Sequence, residues 1–262
     1  LDRPGFDQIA QGMGGLMSIT GEPGKGPMRV GIPIADLCAG LLCSQGIMVA
    51  LLERETSGEG QWVDTSLLGS QIFMLDFQAS RWLMNQDVPQ QAGNNHPTSI
   101  PTGVFETSDG AINIAVAGQV IWERFCNSLN AEDLNANPDY ATAENRSKNR
   151  DSLGDEINKR LRQKDSATWI NLFNEAGVPA GEINSIDQVF ADRQVKHLGA
   201  ATKVNSPALG EIELVSQSIN LSRTPSTIAA APPERGEHSD EVLESIGYDA
   251  GEIASFHARN VV

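Results

Sequence analysis

Asp36 is the residue in this sequence best placed to do chemistry. It is a lone carboxylate closing the stretch Gly31-Ile-Pro-Ile-Ala-Asp36, at the point where a long apolar run begins. If that run is helical, Asp36 stands at a helix amino end, where unpaired N–H groups and the positive end of the macrodipole favour a negative group. Spacing alone leaves two readings open: Asp is a preferred N-cap, so Asp36 could simply finish the helix, or it could be a reactive carboxylate. The other reactive residue types form no constellation. His96, His197, His238 and His257 are scattered, none beside a cysteine or acid at ligand spacing. Cys38, Cys43 and Cys126 make an odd count without a CxxC pair, so neither a metal site nor a disulfide framework is expected.

The elements that must position Asp36 can be read from periodicity. Phe6, Ile9, Met13, Leu16 and Met17 have helical spacing, interrupted by Gly12, Gly14 and Gly15, which would admit a closely packed backbone. After a turn-rich loop at 20–27, the run from Leu37 to Leu52 is apolar nearly all round, which predicts a buried helix. Residues 61–66 read as a short strand feeding a second apolar helix over 67–84, and this alternation suggests an α/β layer. The Pro-, Gln-, Asn- and Gly-rich stretch 87–101 reads as a linker.

Beyond it, 103–107 and 111–116 flank Asp109-Gly110, expected to supply the positive φ angles of a tight hairpin. Ala117-Gly118-Gln119 then joins a strand to a helix carrying Val120, Trp122, Phe125 and Leu129. Helices are expected at 149–162, with Leu153, Ile157 and Leu161 at i, i+4 spacing, and at 166–176, stopped by Gly177 and Pro179. A hairpin at 204–214 and a last helix at 239–246 complete the reading, with His238 read as a cap of that helix.

Composition narrows the partners. A chain of 262 residues, 40% hydrophobic, can bury a core. A net charge of -15, from 34 acidic and 19 basic residues, argues against nucleic acid or an anionic membrane as partner. The apolar stretch at 47–52 is too short to span a bilayer, and a reducing cytoplasm suits the cysteines. The opening Leu1-Asp2-Arg3-Pro4 has neither an initiator methionine nor a signal pattern and reads like the middle of a domain, so a longer parent protein is expected.

Three separated stretches resemble the CaiB/BaiF family, the family III coenzyme A transferases. They are Gly31-Ile-Pro-Ile-Ala-Asp36-Leu-Cys-Ala-Gly40, Thr56-Ser-Gly-Glu-Gly-Gln-Trp-Val-Asp64, and Pro233-Glu-Arg-Gly-Glu-His238-Ser-Asp-Glu-Val242. Ile114-Ala-Val-Ala-Gly-Gln119 and Ala176-Gly-Val-Pro-Ala-Gly181 resemble the family's small domain. The resemblance runs through essentially the whole chain and lacks the family's N-terminal part. It implies an α/β fold, with a Rossmann-like large domain, incomplete here, and a small α+β domain. Residues 1–92 would be a large-domain part and linker helix, 93–196 the small domain, and 197–262 the C-terminal return. Two subunits would interlock as rings.

The resemblance also implies a chemistry. Asp36 would be a covalent nucleophile on an acyl-CoA thioester, with a carboxylic acid as acceptor, no tightly bound cofactor and no metal. Ala117, Gly118 and Gln119 would form a loop over the reacting carboxylate, offering backbone N–H donors and excluding water, unless they are an ordinary strand-to-helix turn. Phe6 would touch CoA or the acyl group, or else be a core aromatic. A 2-methylacyl-CoA racemase of the same fold is the alternative activity. It needs two opposed acid/base groups, a His expected in the missing front part and an Asp, and its relatives carry a glutamate near 117–119. A non-catalytic remnant that dimerises or binds CoA is the other alternative.

Overall fold

Apolar periodicity places the densest core in the middle of the chain. The structure is a computed structural model that describes residues 4–262; Leu1-Asp2-Arg3, read above as interior sequence, lie outside them. The chain forms two units, Leu1–Ile183 and Asn184–Val262.

In the first unit, α1 (Asp7–Met13) and α2 (Leu16–Ile19) share the first helical stripe, which breaks at Gly14-Gly15, the latter at φ 85°. A Cβ on Gly14 would lie 2.6 Å from Gln71 Cγ and 2.8 Å from Ala10 O, so a buried side chain and the backbone of the preceding turn both crowd this glycine. Helix α3 (Ile34–Ser57) ends at Gly58, whose left-handed φ of 75° lets its N–H bond Arg54 O at 2.8 Å. Helix α4 (Leu67–Phe73) starts at Ser66, whose Oγ accepts the Gly69 N–H at 3.0 Å. Helix α5 (Phe77–Asn85) follows.

Three expectations fail in this region. Only Ala35, Cys38 and Ala39 of α3 are buried, while Leu41 and Leu52 are 72% and 73% exposed. Helices α1 and α4 pack against α3 but leave most of its apolar surface open. By length and composition alone, this 24-residue helix could also cross a bilayer, which the short run at 47–52 did not suggest. Residues 61–66 pair with no strand among the described residues. The single helix expected over 67–84 is two, parted at Asp76 with φ 50°; Asp is a poor helix interior residue and one of the few that tolerates positive φ.

The centre of this unit is a sheet of order β1-β2-β3. Strands β1 (Thr102–Glu106) and β2 (Ala111–Ala115) are antiparallel, with Phe105 opposite Ile112 and Gly103 opposite Ile114. Their turn is short, as expected, but without the expected positive φ angles at Asp109 and Gly110. The turn closes through Thr107 N–H to Gly110 O at 3.0 Å. Asp109 instead accepts hydrogen bonds from Thr107 Oγ1 at 2.9 Å and from the Ser166 N–H and Oγ at 2.8 Å each.

After β2 come α6 (Gln119–Ser128), α7 (Glu132–Ala136), α8 (Ala143–Lys148), α9 (Arg150–Leu161) and α10 (Ser166–Glu175). Strand β3 (Ala180–Gly181) returns to pair antiparallel with β2. Leu153, Ile157 and Leu161 are completely buried, as their spacing requires, and pack in one cluster with Trp122, Phe125 and Phe173.

The second unit holds α11 (Ile186–Ala191), α12 (Arg193–His197) and the hairpin β4 (Ala201–Ser206) and β5 (Gly210–Val215). Helix α13 (Ser239–Ser245) matches the last helix expected, but His238 at its start makes no side-chain cap. A further helix, α14 (Ala250–Ala258), was not anticipated. Its signal is the capping box Asp249-Ala-Gly-Glu252, with the Glu252 N–H bonding Asp249 Oδ1 and the Asp249 N–H bonding Glu252 Oε2, both at 2.9 Å.

Candidate functional site

Asp36 is the third residue of α3, one turn into a 24-residue helix whose N-cap position is Pro33. The N-cap reading of Asp36 is therefore wrong. Proline has no side chain to accept from the first orphan N–H groups, and the cap comes from elsewhere: Asp7 of α1, whose Oδ1 accepts the Ala35 N–H at 2.9 Å. The Asp36 carboxylate is exposed and has no hydrogen-bond or ion partner among the described residues.

Segment 29–35, which delivers Asp36, is bound by one turn of α1. Gln11 Nε2 donates to Asp7 Oδ2 at 2.8 Å and to Ile32 O at 3.2 Å, while Gln11 Oε1 accepts the Val30 N–H at 2.9 Å. Arg29 Nη2 lies 3.5 Å from Asp7 Oδ2. Asp7 and Gln11 are buried, a placement tolerable only because these polar atoms find partners. Neither residue was singled out from the sequence. Their spacing was visible, as i and i+4 on one helix face, but Asp and Gln inside an apolar stripe look like interruptions of it.

Phe6 is 74% exposed, so the core-aromatic reading fails in this chain. It lines an apolar pocket of about 340 Å³ with Pro4, Ile9, Met13, Leu67 and Leu68. Phe6 adjoins Asp7 and Asp36 adjoins Ala35, so the two candidates flank the same 2.9 Å hydrogen bond.

Ala117 and Gly118 are exposed between β2 and α6, and Gln119, also exposed, is the first residue of α6. Gly118 has φ 82° and ψ 167°, a conformation essentially restricted to glycine. Gln119 is held by its side chain, Oε1 accepting from Arg146 Nη1 at 3.3 Å and Nε2 donating to Glu123 Oε1 at 3.2 Å. Arg146, not foreseen, is a buried guanidinium with no acidic partner among the described residues. It donates to Ile100 O at 3.1 Å and Tyr140 O at 2.9 Å and lies over the Trp122 ring; burial pushes its pKa down. A lone arginine in the polar run 143–148 carries no sequence signal for such a role. No hydrogen bond joins the loop 117–119 to Asp36 or Phe6 among the described residues.

Cys126 offers no alternative nucleophile in the core. Burial pushes Cys126 up to about 12.

The family model for CoA-transferase family III matches residues 1–239 of the chain. The chain is 33% identical over 261 residues to succinyl-CoA:glutarate CoA-transferase of Mus musculus, covering 99% of this chain and 60% of that protein. It is 34% identical over 250 residues to succinyl-CoA:mesaconate CoA-transferase of Haloarcula hispanica, covering 95% of this chain and 62% of that one. The crystal structure of a CaiB/BaiF family protein from Brucella suis matches with a TM-score of 0.78 at 30% identity, covering 93% of this chain and 63% of that one. The chain thus spans about three-fifths of the length of these relatives.

Proposed function

The chain belongs to CoA-transferase family III, and on that premise we propose that the protein carrying it moves coenzyme A from an acyl-CoA thioester to a carboxylic acid, with Asp36 as covalent nucleophile. The observation that carries this reading is an exposed, unpartnered carboxylate in the first turn of a 24-residue helix.

Four exchanges complete the cycle. An Asp36 oxygen attacks the thioester carbonyl, the C–S bond breaks, and CoA leaves as thiolate from a mixed anhydride. The thiolate attacks the Asp36 carbonyl carbon, releasing the donor acid as carboxylate and leaving an aspartyl-CoA thioester. The acceptor carboxylate attacks that thioester and expels the thiolate again, forming a second anhydride. Thiolate attack on the acceptor's carbonyl then gives the new acyl-CoA and regenerates Asp36. Each step exchanges one activated acyl group for another, so no ATP is needed.

In this reading the loop 117–119 presents backbone N–H groups to the developing oxyanion and shields the anhydride from water. Phe6 contacts CoA or the acyl chain. The relatives named for succinyl-CoA with glutarate or mesaconate support a dicarboxylic acyl group. We read the protein as a cytoplasmic, interlocked homodimer whose chain divides at 1–92, 93–196 and 197–262.

The test is Asp36→Asn in the longest protein that carries this chain. Asparagine keeps the shape and is a far poorer nucleophile, so transfer falls by orders of magnitude while the fold is retained. Hydroxylamine or borohydride trapping during turnover marks the peptide containing Asp36. Near-normal transfer, with mass spectrometry showing the asparagine intact, overturns the assignment.

A further inference from the structure

We propose that Asp7, together with Gln11, is the positioning residue of the site: it fixes the first turn of α3 and thereby aims Asp36 at the thioester. The proposal rests on reading Asp36 as the nucleophile.

Two side chains from one turn of α1 bind three backbone groups of the delivering segment, namely the Val30 N–H, the Ile32 carbonyl and the Ala35 N–H. That segment contains Gly31 and Pro33 and belongs to no helix or strand before Ile34, so it has no regular backbone ladder of its own. A helix needing only stability would take a local Ser, Thr, Asn or Asp as N-cap. Here Pro33 fills that position, and the cap comes from 28 residues away in the chain. The distant cap links the start of α3 to α1, which also presents Phe6. The pair is closed on itself, since Asp7 Oδ2 accepts from Gln11 Nε2 at 2.8 Å, which fixes the amide so that Oε1 faces Val30. Nothing in this arrangement requires contact with substrate; the carboxylate acts through Ala35 on its neighbour.

The experiment compares Asp7→Ala, Asp7→Asn, Gln11→Ala and the exchanged pair Asp7→Asn with Gln11→Glu, beside Asp36→Asn, in the longest protein that carries the chain. Turnover and KM are read for each, with backbone amide exchange over 30–37 and thermal unfolding. Asp7→Ala is expected to lower kcat by about a hundredfold, the scale of an ångström-sized misplacement, with KM changed only a few-fold and amide exchange accelerated at 30–37. Asp7→Asn keeps an acceptor for Ala35 but turns an NH2 group toward the Gln11 NH2, so it loses turnover too. Adding Gln11→Glu supplies the missing acceptor and keeps the Val30 and Ala35 contacts while the Ile32 carbonyl loses its Gln11 donor, so part of the turnover returns. Such recovery of kcat at unchanged KM is the signature of aim rather than of bulk stability.

Unchanged kcat in Asp7→Ala, with Asp36→Asn inactive, overturns the proposal and leaves the nucleophile standing. If Asp36→Asn stays active, the nucleophile is misassigned; amide exchange in Asp7→Ala then decides whether the clamp exists, and unchanged exchange overturns it. Should Asp7→Ala fail to fold, Asp7→Asn and Gln11→Ala are judged by the same criteria.

Discussion

Gly118 stands in open space, with no heavy atom within 4 Å of where a Cβ would be, so any penalty for a side chain there is purely one of backbone. At φ 82° and ψ 167° that penalty is roughly 1–3 kcal/mol. Gly118→Ala is expected to shift the loop and depress transfer while lowering stability by no more than this, read from turnover and the denaturant midpoint. Undiminished turnover would remove the loop from the chemistry. Arg146→Leu works in the opposite sense, leaving Ile100 O and Tyr140 O without their donor. A loss of about 1–3 kcal/mol for each is expected in denaturant unfolding. These residues also mark the limit of what could be read beforehand. Asp36 and Gly118 announce themselves by standing at junctions, where residue type and element boundary coincide. Asp7, Gln11 and Arg146 act across as many as 46 positions of chain, on backbone groups that no local pattern identifies.

The β1–β2 hairpin and α10 are held together by Asp109, and this joint is sensitive to acid. Hydrogen bonds from the Ser166 backbone, and then from the Ser166 and Thr107 side chains, hold the Asp109 carboxyl below its ordinary range. A group with a depressed folded pKa binds fewer protons folded than unfolded, so its stabilisation is present above the ordinary carboxylate pKa and is lost as pH falls through the folded value. Asp109→Asn should therefore unfold more readily than the parent at pH 6, and the difference should shrink as pH falls below about 4. Melting temperatures across that range measure it. Ile157→Ala, at the completely buried centre of α9, should cost about 2–5 kcal/mol at any pH. Both elements were legible because each buries one face, which sets a period of two along the strands and of 3.6 along α9. The turn was misread because Asp-Gly is a local signal for positive φ, whereas this carboxylate is engaged by Ser166, 57 positions on. The break at Asp76 escaped for a related reason, since apolar spacing continues through it.

At the scale of the whole molecule the unbalanced feature is α3, apolar over most of its length and largely uncovered. Soluble monomers rarely leave contiguous apolar faces of this kind open, so the complete protein is expected to scatter light as a dimer at micromolar concentration. A compact monomer would count against it. The 262-residue chain alone is expected to show little transfer, because it spans three-fifths of its relatives' length, and turnover matching a full-length relative would refute this. Burial of α3 could not be settled from periodicity, which reveals that a helix wants cover but not whether its own chain provides it. The same 24-residue helix, a rod of about 36 Å, carries the proposed nucleophile on its first turn and open apolar surface beyond it. Under the proposed function and a dimer formed through α3, association and chemistry share one rigid element, and mass action then links them. Specific activity should fall on dilution, and acyl-CoA should move that fall to lower protein concentration.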